Sequence, residues 1–164
     1  MAGVTAVSAG GPGSAVGPAR GGITDVHVHI QPWRQLKPDV MAAMRRGKED
    51  HWEFLLALMD DPKALLEVMD RAGVWRVGLV NYPSPDLMGF TDETNAFAAR
   101  YAEAAPERLL PYGGVHPRFA GDIKGHVDEL VELGIARETT GRRRDRLFVY
   151  DRSVAILNEG TERP

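Results

Sequence analysis

A chain of 164 residues with 43% apolar and 26% charged side chains has material for one globular domain, or for part of a larger one. A net charge of −3 supplies no basic field to draw in nucleic acid or an anionic membrane, and the lack of cysteine excludes disulfides and thiolate zinc sites. No apolar run reaches membrane-spanning length, and the N-terminus lacks the charged-then-apolar layout of a secretory signal, so a cytoplasmic location is expected.

Residues 1–22 are mostly Gly, Ala, Ser, Val and Pro, which predicts a disordered tail without chemistry. Residues 23–30 (ITDVHVHI) are rich in β-branched side chains that alternate with Asp and His, the pattern of a first strand. Residues 31–50 hold Pro32, Pro38 and Gly47 and predict a long loop with a helical turn near residues 41–45. Residues 51–59 (HWEFLLALM) read as an apolar helix. Asp61 followed by Pro62 marks the start of another, with Leu65, Leu66, Met69 and Ala72 as its apolar stripe and Gly73 as its stop. Residues 74–81 (VWRVGLVN) form a second predicted strand, and residues 82–90 a loop punctuated by Pro and Gly.

Thr91 is the expected cap of a third long helix, with Phe97, Ala98, Tyr101 and Ala105 on one side and Pro106 beyond. A third strand is predicted over residues 109–115 (LLPYGGV). Asp122 opens the next helix, with Ile123, Val127, Leu130 and Val131 inward and Gly134 at its end, and Ile135 and Ala136 begin a fourth strand. Strands alternating with helices predict an α/β fold built from parallel βαβ units with right-handed crossovers.

The texture changes after Ala136. Residues 137–164 carry seven arginines and no lysine, and predict a polar, basic stretch followed by one amphipathic helix near residues 151–158.

His27 and His29 are two residues apart on a strand, so their imidazoles project to one face and can reach one divalent ion at about 2.0–2.1 Å. By strict alternation Asp25 shares that face, one step deeper, and is placed to orient a ring by a hydrogen bond. The valines at 26 and 28 point into the opposite layer.

ITDVHVHI, then DPKALLEVMDRAGVWRVGLVNYP, then TDETNAFAARYAEAAPERLLPYGGVHPR resembles the amidohydrolase-related family over about residues 23–136. The family includes metal-dependent hydrolases and decarboxylases of small carboxylated or lactone substrates. The resemblance implies a (β/α)8 TIM-type barrel around one divalent metal, usually zinc, with His27 and His29 as ligands. It also implies further histidines on the fifth and sixth strands and a catalytic aspartate on the eighth. In that mechanism the ion polarises a carbonyl or activates a bound water.

Such a barrel typically takes about 250 residues. The expectation is therefore an incomplete barrel of its first three to four units, inactive alone and open to self-association or aggregation through its sheet edge.

Other residues have weaker claims on the chemistry. His116, at the end of the third strand in VHP, is a candidate for the same pocket, although a turn histidine before Pro117 is the plainer reading. His51 reads as an exposed helix-start residue and His126 as solvated helix surface. Tyr82 and Asn95 follow the second strand, where a polar contact to substrate is an option but not the favoured reading, and Trp33, Trp52 and Trp75 read as packing residues.

The segment TGRRRDRLFVYDRSVAILNEGTE resembles the extreme C-terminal end of Fic-domain proteins, whose full domain transfers nucleotide monophosphate to hydroxyls. The His-Pro-Phe and Gly-Asn-Gly-Arg signature of that domain is nowhere in the chain, so no such activity is carried over. The change in texture reads as a join between two unrelated fragments. Arg142 to Arg146, interrupted by Asp145, read as a solvated face rather than a nucleic-acid patch.

Three functions follow: a metal-dependent hydrolase or decarboxylase, a non-catalytic fusion remnant, or a binding module whose basic tail meets an anionic partner. Neighbouring DNA encoding the missing strands in another frame would separate the first from the second.

Overall fold

The structure, a computed structural model, describes residues 22–119 and 121–158. The tail expected over residues 1–22 lies, but for Gly22, outside the described residues.

A three-stranded parallel sheet organises the fold, in the order β1 (Ile23–Val28), β2 (Val74–Leu79), β3 (Leu109–Pro111). Between β1 and β2 run α1 (Pro38–Arg45), α2 (Trp52–Asp60) and α3 (Pro62–Ala72). Between β2 and β3 lies α4 (Glu93–Ala102), and α5 (Ile123–Glu132) follows β3.

The helix signals act where they were read. Asp61 Oδ1 accepts from Lys63 N at 2.9 Å, Pro62 is the first helical residue, and Gly73 closes α3 at φ +69°, where a side chain is strained. Asp122 caps α5 by accepting from Gly125 N at 3.0 Å. At α4 the cap falls on Asp92, while Thr91 O accepts from Thr94 N and Oγ1 at 3.2 and 2.9 Å.

Val77 and Leu79 of β2 point into the main core with Leu65, Met69, Phe90, Tyr101 and Leu109. Trp33 and Trp52 stack in the same core, 5.4 Å between ring centroids, as packing residues. Tyr101 Oη lies 2.6 Å from Leu58 O and 3.3 Å from Asp61 O, so its proton satisfies a carbonyl left open at the end of α2. Burial and the neighbouring Asp61 and Asp60 carboxylates raise the Tyr101 hydroxyl pKa far above its ordinary value.

Two expectations are overturned here. The incomplete TIM-type barrel of three to four units gives way to an open three-stranded sheet. Ile135 and Ala136 do not start a fourth parallel strand; they are buried against Leu130 in a second small core. The next residues, β4 (Arg137–Glu138), pair antiparallel with β5 (Phe148–Val149). The physical reason lies in the polar, arginine-rich stretch. A parallel strand buried on both faces needs a continuous apolar run, and residues 137–138 pair instead with the apolar Phe148–Val149.

The tail is also joined to the sheet, ending in α6 (Asp151–Asn158) where a helix was predicted. Arg146 Nη1 reaches Asp128 of α5 at 2.9 Å, and Arg137 pairs with Asp151 at 2.8 Å. Tyr150 sets its ring against Tyr112, 6.0 Å between centroids, and donates to Gly113 O at 3.2 Å. Beneath Tyr112 lies Gly78, where a Cβ would stand 2.7 Å from Val26 O and 2.9 Å from the Tyr112 ring. Glycine at 78 therefore leaves room for the Tyr112 ring, on which the tail's Tyr150 rests.

The second overturned expectation concerns β1. Of the two valines expected in a packed layer, Val28 packs against the main core, whereas Val26 is 45% exposed and Ile23 62%. β1 is an outer strand with no described strand beyond it, so one side finds nothing to pack against.

Candidate metal centre

β1 and β2 fall out of step over a short stretch. Asp25 is in register with Val77 and Val28 with Leu79, so three steps on β1 match two on β2. This is a one-residue bulge, and it interrupts the alternation of faces at Val26 and His27. The contact that Asp25 makes with the pair is to its backbone. Its Oδ1 accepts from the backbone N–H of His27 at 2.9 Å, a local turn that satisfies an outer-edge donor.

His27, inside the irregular stretch, and His29, just past the end of β1, flank Val28, and their rings converge. Their Nε2 atoms are 3.0 Å apart and their ring centroids 4.8 Å, inclined at 66°. Without a metal, one ring donates its proton to the other. Tyr82 stands beside His29 at 6.0 Å between centroids, and Phe90 backs Tyr82 at 6.4 Å. The loop after β2 thus walls one side of the pair.

Both imidazoles are exposed. Partial burial, and then the proximity of His27, hold the His29 pKa below the ordinary imidazole value, which keeps its ring neutral and able to ligate at neutral pH.

Two nitrogens at about 2.0–2.1 Å from a tetrahedral ion stand about 3.3–3.4 Å apart. The observed 3.0 Å separation needs an opening of only a few tenths of an ångström, so the pair fits a divalent ion. The set stops at two, however. Among the described residues no group of three or more His, Cys, Asp or Glu side chains is arranged to hold a metal. Neither Asp25 nor His116 therefore completes the shell.

His116 instead lines a cleft of about 170 Å³ with Pro83, Pro85, Val115, Phe119 and His126. Its ring lies 4.8 Å from Phe119, and its Nδ1 accepts from Arg118 N at 3.3 Å. His126, expected on the solvated surface, is half-buried there, with Nδ1 3.6 Å from both Asp92 Oδ2 and Glu129 Oε2. The two histidines come from the loop after β3 and from α5, and both line this cleft.

Asn95 is buried and does not face a substrate. Its amide clamps the Gly114 backbone, accepting from N and donating to O at 3.0 Å each. His51 is exposed, as expected. No helix among the described residues is long and apolar enough to cross a membrane.

Compared with known proteins, the chain matches no family model, no curated protein and no solved structure.

Proposed function

We propose that this chain is a divalent-metal-binding domain of the metal-dependent hydrolase or decarboxylase type, directed at small carboxylated or carbonyl compounds and inactive by itself. The observation that carries the reading is the 3.0 Å approach of His27 Nε2 and His29 Nε2 at the carboxyl end of β1. Open parallel α/β sheets place their ligands at that end. The ordered resemblance of residues 23–136 to the amidohydrolase-related family supports the same choice.

His27 and His29 hold the ion, zinc being the expected one. Asp25 fixes the backbone of His27, and Tyr82 screens one side of His29. A bound divalent ion supplies Lewis-acid activation of a carbonyl or of water.

Calorimetric titration of zinc tests this. At about pH 7.5 heat of binding is expected, weakening in acid, where protons compete with the metal for ligand nitrogens. The double variant His27→Ala/His29→Ala should lose it. Tight zinc binding that survives the double substitution overturns the site.

Turnover is a separate matter. Catalytic zinc sites use three protein ligands and a positioned acid or base, and this pair offers two ligands. With zinc added, lactones, amides and aromatic carboxylates are expected to react at the background rate. A zinc-dependent rate abolished by His29→Ala would show the chain to be a complete catalyst.

A further inference from the structure

The exposed histidine pair has room for more than solvent. We propose that a second copy of this chain supplies the missing ligands, so that one zinc ion is held between two copies by His27 and His29 of each. This rests on the reading that the pair binds metal, and adds who completes the shell.

Zinc in a closed protein site takes four ligands at tetrahedral positions. One chain supplies two converging nitrogens 3.0 Å apart, and no third His, Cys, Asp or Glu of the described residues joins them. A twofold axis through the ion makes the two pairs equivalent, the self-complementary arrangement of most homodimers.

The approach is open. β1 is the outer strand of the sheet, and both imidazoles are exposed. Ile23 and Val26, on the same strand, present the apolar surface that a second copy would cover.

The backbone argues against simple strand addition. Asp25 already occupies the N–H of His27, which blocks that edge position to another strand. The copies therefore meet through imidazoles and apolar side chains rather than through an extended sheet. Four imidazoles leave no open position on the ion, so a zinc held this way is structural, in keeping with the absence of turnover expected of the chain.

Native mass spectrometry and sedimentation velocity of the full chain, titrated with zinc and then with a chelator, decide the matter. The expected result is one zinc per two chains and a doubling of the 18.0 kDa mass, reversed by the chelator. Cobalt in place of zinc should give the intense visible absorption of a tetrahedral centre. His27→Ala and His29→Ala should each abolish the doubling, with circular dichroism reporting whether the fold is kept.

One zinc per monomeric chain, or the pale spectrum of six-coordinate cobalt, overturns the shared site and leaves metal binding by the pair intact. No zinc binding removes both. A dimer that forms equally without zinc, or in the double variant, overturns the bridge.

Discussion

Replacing Phe90 with alanine is expected to lower stability by about 3–5 kcal/mol, the usual cost of emptying a fully buried phenylalanine site. Against a typical domain total of about 5–15 kcal/mol, that leaves a chain close to unfolding. Phe90 sits in a loop, where large effects are seldom looked for, yet it is 0% exposed and belongs to the main core. Its carbonyl accepts from Ser84 N at 2.8 Å and closes the loop after β2 on itself. The same loop is tied to the segment before α1, where Lys37 N donates to Met88 O at 3.0 Å. Removing the ring opens a cavity that the two bound segments cannot collapse to fill. It also frees Tyr82, whose ring leans on Phe90 and flanks His29, so zinc affinity should fall with stability. Urea denaturation of Phe90→Ala beside Leu87→Ala, an exposed residue of the same loop, checks the claim. The control should change stability by no more than about 0.5 kcal/mol. Equal losses would mean that the loop is not part of the core.

Arg108→Ala is the second large expected loss, at about 2–3 kcal/mol. The side chain is 16% exposed, and its guanidinium lies 5.3 Å over the Trp75 ring and donates to Trp75 O at 3.0 Å, Val74 O at 3.2 Å and Asp70 at 2.7 Å. One side chain thereby joins the end of α3, the start of β2 and the start of β3. Breaking a buried pair by removing one partner costs about 3–5 kcal/mol, and the figure is lowered here because Asp70 is about one third exposed and recovers water. Arg108→Lys should restore little of it, since an ammonium cannot fork to three acceptors while stacking on an indole. Thermal and urea unfolding of the two variants test this, and full recovery in the lysine variant would assign the effect to charge alone.

Local signals were legible wherever the physics is local. The Asp61-Pro62 start and Gly73 stop of α3, the Asp122 cap of α5 and the helix at Asp151–Asn158 depend on a handful of adjacent residues, and each stands where the sequence placed it. The convergence of His27 and His29 was legible for the same reason, because two residues separated by one on a strand share a face whatever surrounds them.

Asp25 marks the limit of that rule. At a one-residue bulge, set by how β1 slides against β2, its carboxylate contacts the His27 backbone. The barrel expectation failed on similar grounds. Whether residues after Ala136 extend a sheet depends on what lies beside them, and the competing partner was residues 147–150, closer in sequence and apolar. Sequence alone determined the order of the three parallel strands and the helices between them, the caps at Asp61 and Asp122, and a two-histidine pair at the end of the first strand. Only the tertiary structure decided that the parallel sheet stops at three strands among the described residues, that the tail's Tyr150 rests on Tyr112 above Gly78, and that His116 lines a cleft with Pro83 and His126 rather than joining the histidine pair. These outcomes turn on contacts between residues distant in the chain, where register and competing partners set the energy and no nearest-neighbour pattern records them.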